Sequence, residues 1–170
     1  MLFREEGTMI TEKQSLLPVL TRVTIFAGLR EEWLARILAQ GTIENYPEGA
    51  ILLREGTPAT EILVVLEGRV KVVLDLEHNP LEVCEFGAGS CVGEASVVGI
   101  LEHSASVIVS EDTSALMVSR RMLMDFLATD TELFAMLILN IARELARRLH
   151  RTDEILLHYT GHHVGMPAST

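Results

Sequence analysis

A series of short apolar runs, separated by turn-forming residues, constrains the fold of this chain more than any other feature. The runs are rich in Val, Ile and Leu, and Gly, Pro, Asn or Asp interrupts the chain between them. Regular short strands of this kind predict an antiparallel sandwich or barrel. The predicted strands are residues 50–53, 62–66, 70–74, 81–86, 106–110 and 115–118.

Two of these runs bracket the tripeptide Glu67-Gly68-Arg69. Glycine adopts the positive φ of a tight turn without steric cost. A β-hairpin that turns at these three residues is therefore predicted.

Helical periodicity flanks the strand region on both sides. Residues 16–40 form a helical preface with a break at Gly28, and residues 120–128 and 131–159 form two C-terminal helices. The whole chain, residues 1–170, has the length of a single domain. It divides into the preface, a β-roll at 42–118, helices at 120–160 and a tail at 161–170 without any pattern.

The long helix has a stripe of residues at alternating three- and four-residue steps, which is the spacing of a coiled-coil seam. This stripe predicts a homodimer through the C-terminal helix, and the alternative is that it packs back on the sheet. Its members are Ile138, Ile141, Leu145, Arg148, Thr152, Ile155 and Tyr159.

The net charge of −10 opposes the phosphate backbone of nucleic acids and argues against DNA or RNA binding by the whole chain. Four arginines of the long helix alternate with acidic residues and predict a solvated helix face: Arg143, Arg147, Arg148 and Arg151. Cys84 and Cys91 are too few for a disulfide framework, and both are expected to be buried thiols. Since no run is apolar enough to span a membrane and no leader pattern is found, a cytoplasmic location is expected.

Residues 86–112 contain the residues best suited to hold a ligand. Gly87, Gly89 and Gly93 allow the backbone to approach a ligand, and Glu94 stands where a carboxylate would accept a ribose hydroxyl. The residues Ala95 and Ser96 follow as the start of a short helix, whose amides attract an anion. The alternative is that the glycines serve only as turns at strand ends.

These motifs resemble the cyclic-nucleotide-binding domain family, which includes the bacterial catabolite activators and the regulatory subunits of cyclic-AMP-dependent kinases. The resemblance covers nearly the whole chain. The opening Ile25-Phe26-Ala27-Gly28-Leu29 is similar to a helical step of the family, and residues 49–56 and 66–70 are similar to its strand motifs. Phe86-Gly87-Ala88-Gly89, Gly93-Glu94 and His103-Ser104-Ala105-Ser106-Val107 match its pocket cassette in order.

The resemblance implies an α+β, mainly β fold: an antiparallel jelly roll, or double-stranded β-helix, flanked by N-terminal helices and a long C-terminal helix. It assigns Gly93, Glu94 and the helix that follows to ribose and phosphate, with Glu94 on the 2′-hydroxyl. Residues 146–154 are similar to the central helix of the catabolite activators, where a Thr-Ser pair reaches the base. Thr152 keeps the first of these residues and Asp153 replaces the second.

His103 stands where the family has the arginine that pairs with the cyclic phosphate. An unperturbed histidine is only roughly a quarter protonated at pH 7 and lacks the fork of arginine. The loss of that fork would weaken binding by about tenfold to several hundredfold. His103 is therefore either a pH-sensitive contact for an anion or the mark of a pocket that has lost its ligand. Ser104 and Ser106 are further candidate phosphate donors.

The first hypothesis for function is a non-catalytic regulatory module, without a cofactor, that binds a cyclic nucleotide or another small anion and rearranges its C-terminal helices for a protein partner. The second is a dimerisation or interaction module without a nucleotide ligand. A metal-dependent jelly-roll enzyme is the weakest, because only His78 and His103 lie in the strand region. About ten patternless residues follow the long helix, so direct DNA binding is not expected.

Overall fold

The computed structural model describes the backbone of residues 16–161 and the side chains of residues 16–158. A helical preface comes first, and it packs against the helices that follow the sheet. Its elements are α1 (Leu17–Leu20), a 3-10 helix (Thr24–Phe26) and α2 (Glu31–Gln40).

Six strands and one short helix form the middle of the chain. They are β1 (Thr42–Tyr46), β2 (Ile51–Leu53), β3 (Glu61–Leu74), β4 (Leu81–Gly87), β5 (Cys91–Val92), α3 (Glu94–Gly99) and β6 (Ser106–Ser119). The strands pair in the order β1-β6-β3-β4, while β2 also pairs with β6 and β5 with β3, and every pairing is antiparallel. The predicted mainly antiparallel fold with flanking helices is confirmed.

Two helices complete the described chain, α4 (Arg120–Thr129) and the 31-residue α5 (Thr131–Gly161). The hydroxyl of Ser119 caps α4 by accepting the amide of Met122 at 3.1 Å. Asp130 accepts the amide of Leu133 at 3.1 Å and also the indole N–H of Trp33 at 3.1 Å. The junction between α4 and α5 is thereby tied to α2.

Two apolar clusters hold these layers together. The larger joins the outer face of the sheet to the preface and to the first half of α5, with Phe26, Phe126 and Leu137 fully buried. The smaller fills the inside of the roll around Val65 and Val109. Asn140 is buried between α5 and the preface, where its side-chain amide donates to the carbonyls of Ile25 at 3.2 Å and Ala27 at 2.8 Å.

The hairpin predicted at Glu67-Gly68-Arg69 is wrong. Residues 61–74 form the single strand β3, and both halves of it pair with β6 rather than with each other. Gly68 does adopt a positive φ of 84°, but it lies where the register with β6 shifts. A glycine at positive φ suits a bulge as well as a turn, and the partner strand decides between them.

Three expectations about solvent exposure also need correction. In the seam stripe, Ile141 is buried in the core, and Ile138 and Leu145 pack against it, so this half of the stripe packs inside the molecule. Thr152 and Ile155 are exposed, and the side chain of Tyr159 lies outside the described residues. Arg148 is only 25% exposed and does not belong to a solvated face. Cys91 is buried as expected, whereas Cys84 is exposed.

Within residues 16–161, no helix combines the length and the apolar character that a transmembrane span requires.

Candidate functional site

Gly93 sets the geometry of the candidate site. It precedes α3 with a φ of 87°, a conformation that favours glycine. A Cβ at this position would lie 2.9 Å from the carbonyl oxygen of Glu61 and 3.1 Å from a methyl group of Leu53. The turn therefore needs glycine for both its dihedral angles and its close packing, and it directs the next residue into the protein.

Glu94 is 2% exposed, although it is a carboxylate. One of its oxygens, Oε1, accepts a hydrogen bond from Nη1 of Arg148 at 2.6 Å. The other oxygen, Oε2, is buried and accepts no hydrogen bond from a nitrogen or hydroxyl donor among the described residues, and the nearby Cys91 thiol is at most a weak donor to this carboxylate. Burial raises the pKa of the Glu94 carboxyl, and the Arg148 guanidinium opposes that rise. Such an unsatisfied buried oxygen is uncommon in proteins and requires an explanation.

Arg148 of α5 makes the contacts that surround Glu94. Its Nη2 donates to the carbonyl oxygen of Cys91 at 2.7 Å, and its Nε donates to Glu144 at 3.1 Å. Its guanidinium carbon lies 4.5 Å from the centre of the Phe86 ring, in a cation–π contact. A single side chain thus connects the long helix to β4, β5 and α3.

His103 is 7% exposed and lies next to Gly93, where its Cε1 would be 3.6 Å from a Cβ on that glycine. His103 is one of the residues that line a cavity of about 310 Å3. No hydrogen bond joins the imidazole to another of residues 16–158. Burial lowers the pKa of His103, so the ring is neutral near pH 7. The remaining lining residues are Ile51, Leu52, Leu53, Arg54, Thr57, Pro58, Thr60 and Glu61.

The other predicted site residues have different surroundings. Ser96 is buried and its carbonyl accepts the amide of Leu101 at 2.9 Å, while Ala95 and Ser104 are exposed. Thr152 and Asp153 are exposed on α5, one turn beyond Arg148, and the Thr152 hydroxyl donates to the Arg148 carbonyl at 3.0 Å. The structure therefore brings Gly93 together with Glu94 and His103, and leaves the two α5 residues on an open helix face.

Ser106 is predicted to be a candidate phosphate donor, but in the structure its side chain is hydrogen-bonded to the backbone of a neighbouring loop. It is 1% exposed, and its hydroxyl oxygen accepts the backbone N–H of Glu55 at 3.1 Å. It holds the loop after β2 in position.

Arg148 was missed as a site residue by sequence reasoning. The signal was present in the stripe of α5, where Arg148 follows Ile141 and Leu145 on the face that packs inward. A charged residue on a buried helix face requires a partner, and a buried carboxylate is the obvious one.

The hypothesis of a metal-dependent jelly-roll enzyme requires a cluster of metal-binding side chains. Within the described part of the chain, no three His, Cys, Asp or Glu side chains come together in a way that would hold a metal ion.

Residues 43–130 match the family model of the cyclic nucleotide-binding domain, which is more than half of the chain. The chain belongs to the cyclic nucleotide-binding domain family. The first hypothesis for function, a regulatory module, is therefore supported in its coarser form, as a regulatory domain of this family.

Curated relatives of the chain include transcriptional regulators and effectors. The CRP-like cAMP-activated global transcriptional regulator of Mycobacterium tuberculosis is 27% identical over 81% of this chain and 60% of its own length. The cyclic AMP receptor protein of Thermus thermophilus is 30% identical over 76% of this chain and 58% of its own. The Pycsar effector protein PaPycTIR of Pseudomonas aeruginosa is also 30% identical, over 76% of this chain and 41% of its own length. The chain thus spans about 40 to 60% of the length of these relatives.

Solved structures agree with this assignment. A cyclic nucleotide-binding domain from Methylobacillus flagellatus superposes with a TM-score of 0.77 at 23% identity, over 88% of this chain and 85% of the other, and shows the fold. The catabolite activator protein of Thermus thermophilus superposes with a TM-score of 0.70 at 26% identity, over 81% of this chain and 63% of the other.

Proposed function

We propose that this chain is a regulatory module that binds a cyclic nucleotide through Gly93 and Glu94. The observation that carries the proposal is the buried Oε2 of Glu94, which accepts no hydrogen bond from a nitrogen or hydroxyl donor among the described residues. A buried polar atom left unsatisfied costs about 1–3 kcal/mol. A ribose 2′-hydroxyl would donate to this oxygen while Oε1 remains with Arg148. A hydroxyl next to an anionic group is the chemistry that this arrangement fits.

The anionic group of the ligand would lie along the turn at Gly93 and the residues that flank it. The resemblance assigns Ala95, Ser96 and His103 to the phosphate, and Ser104 is a further candidate donor. The neutral state of His103 lowers the expected affinity, because a neutral ring supplies one N–H and no charge. Thr152 and Asp153 would contact the base from α5.

Arg148 supports a route from the pocket to the long helix. A hydroxyl that binds Glu94 competes for the charge of the carboxylate that anchors Arg148 at 2.6 Å. The guanidinium lies on α5, so a change in its position moves the helix relative to α3 and β5. We infer that the exposed half of α5 presents this movement to a partner protein, and that the chain acts by binding rather than by catalysis, in the cytoplasm.

A second copy of the chain is the first such partner that we propose. Leu149 is 64% exposed and Ile155 is 51% exposed, and both lie within about 60° of Thr152 around the helix. Two such faces, one from each copy, would bury each other in a parallel pair of helices. The interface would begin just after Arg148, next to the proposed site.

Titration calorimetry with cyclic AMP, cyclic GMP and cyclic dinucleotides tests the proposed function. We expect a response to at least one of these, and at least about a tenfold loss of affinity in Glu94→Gln, which weakens a charge-assisted hydrogen bond. Glu31→Gln, at an exposed carboxylate of α2, is the matched control and leaves the affinity unchanged. If no nucleotide binds to the wild type or to a His103→Arg variant, the proposal fails.

That negative outcome would favour the second candidate, an interaction module without a nucleotide ligand. The observation in its favour is the absence of a permanent charge at His103, whose burial also opposes protonation. Under this candidate, the chain would still form a dimer, but none of the nucleotides would bind to it.

A further inference from the structure

Two backbone hydrogen bonds hold His103 at the edge of the cavity. Its backbone N–H donates to the carbonyl of Thr57 at 2.9 Å, and its carbonyl accepts the N–H of Gly56 at 2.9 Å. The residue is 7% exposed, and its ring has no hydrogen-bond partner among residues 16–158. A buried imidazole of this kind retains its full capacity to bind a group that enters the cavity.

The charges that face this cavity balance while the ring is neutral. Arg54 and Glu61 are its two charged lining residues, one of each sign. Arg54 is further neutralised by Glu77, at 2.9 Å on the protein surface. Protonation of His103 would therefore cancel the negative charge that Glu61 leaves in the cavity, which an incoming anion would otherwise meet.

The remaining carboxylates near His103 do not face its ring. Glu94 follows Gly93 but binds Arg148, and Glu102 precedes His103 in the chain and is exposed to solvent. The carboxylate of Glu55, in the loop after β2, accepts the backbone N–H of Asp75 at 2.9 Å. Among the described residues that line the cavity, Glu61 is thus the one carboxylate that opposes an incoming anion and Arg54 the one cation that assists it.

We propose that the anionic group of the ligand binds in this cavity together with one proton, which His103 takes up from solvent. This inference rests on the proposed function and adds a regulator to it, because the affinity for the nucleotide then depends on pH. The cavity volume of about 310 Å3 is ample for a phosphate group, since one water occupies about 30 Å3 of liquid.

The sign of the pH dependence follows from the two states of the ring. Burial lowers the pKa of His103 in the free protein, and a bound anion would raise it in the complex. Between these two pKa values, the complex holds one more proton than the free protein. The affinity therefore falls by about tenfold for each unit of rising pH in that window, and it is constant below the pKa of the free protein.

Calorimetry with cyclic AMP as the probe, from about pH 5.5 to about pH 8, tests this coupling. The titration is repeated in buffers of different ionisation enthalpy, so that the slope of the observed heat gives the number of protons taken up. We expect close to one proton for the wild type and none for His103→Arg, whose affinity stays constant over this range. His103→Gln binds weakly at every pH, and the control His78→Gln, at an exposed histidine, behaves as wild type.

The outcomes separate this inference from the proposed function. Wild-type binding without proton uptake overturns the inference and leaves the nucleotide proposal intact. A wild type that binds none of cyclic AMP, cyclic GMP and cyclic dinucleotides even at the lowest pH, while His103→Arg binds one of them, overturns the inference and also the claim that this chain itself binds a cyclic nucleotide. If neither protein binds any of these nucleotides at any pH, the pocket assignment fails as well. Thermal melts show whether each variant is folded, and if the variants fail to fold, proton uptake by the wild type still decides the matter.

Discussion

At the scale of single residues, Arg148 connects more of the molecule than any of the predicted site residues. Its guanidinium binds Glu94 and Glu144, the carbonyl of Cys91 and the ring of Phe86. The pKa of Arg148 is raised by the nearby Glu94 carboxylate, against the effect of burial. Burial raises the pKa of the Glu94 carboxyl, and Arg148 opposes that rise, so each charge depends on the other for its stability in the interior.

Replacement of Arg148 by methionine would leave Glu94 buried without a partner. We expect Arg148→Met to lower the free energy of unfolding by about 3–5 kcal/mol, measured by urea denaturation at pH 7. The double variant with Glu94→Leu regains part of this loss, since an apolar pair has no unpaired charge. Arg151→Met, at an exposed arginine three residues later, changes stability by less than about 0.5 kcal/mol. A small effect of Arg148→Met would contradict a buried ion pair at this position.

The residues of the candidate site were predictable from sequence to different degrees. Gly93 and Glu94 were predicted because a glycine at a strand end followed by a carboxylate is a local pattern. Arg148 lies 54 residues further along the chain, and only the folded structure brings it to Glu94. The neutral, unpartnered state of His103 was also beyond the sequence, because it depends on which groups pack around the ring.

At the scale of elements, the apolar runs predicted where four of the strands lie but not their full length. Residues 106–110 and 115–118 belong to one strand, β6, whose polar centre continues to pair with β1. The strand β1 was missed because its sequence, TIENY, is mostly polar and mostly exposed. The two-residue β5 was also missed. Backbone hydrogen bonds to a neighbouring strand maintain such segments without an apolar pattern, and sequence periodicity does not detect them.

The bulge at Gly68 offers a test of how β3 is built. A Cβ on Gly68 would lie 2.2 Å from the carbonyl oxygen of Asp112, whereas a Cβ on Gly56 would meet no atom within 4 Å. Both glycines have a positive φ, 84° and 75°. Gly56→Ala thus measures the backbone strain alone, about 1–2 kcal/mol, and Gly68→Ala adds the clash with β6.

We therefore expect Gly68→Ala to destabilise the protein by at least about 1 kcal/mol more than Gly56→Ala, in urea denaturation of both variants. Equal losses would indicate that β3 and β6 separate easily at this point, and that the bulge is not closely packed.

At the scale of the whole molecule, α5 has two parts with different surroundings. As far as Leu145 it packs against the core, and beyond Arg148 its apolar side chains are largely exposed, as the 64% exposure of Leu149 illustrates. The sequence stripe ran through both parts without a break, so it could not separate inward packing from a surface for a second chain.

The proposed dimer can be tested by changing the exposed part alone. Leu149→Glu combined with Ile155→Glu places charges on the face that would meet its copy. In sedimentation velocity, we expect the wild type to be a dimer and this variant a monomer with unchanged thermal stability of the roll. Leu81→Glu, at an exposed leucine of β4, is the control and remains dimeric. A wild type that stays monomeric at every concentration contradicts the interface.

The two hydrogen bonds from Asn140 to the carbonyls of Ile25 and Ala27 have a consequence for the helical preface. They tie the first half of α5 to residues 25–27, so a rotation of α5 about its axis would either break both bonds or move these residues with it. If α5 moves as proposed when the pocket is occupied, a protein that binds the preface would respond to the ligand as well as one that binds the exposed end of α5.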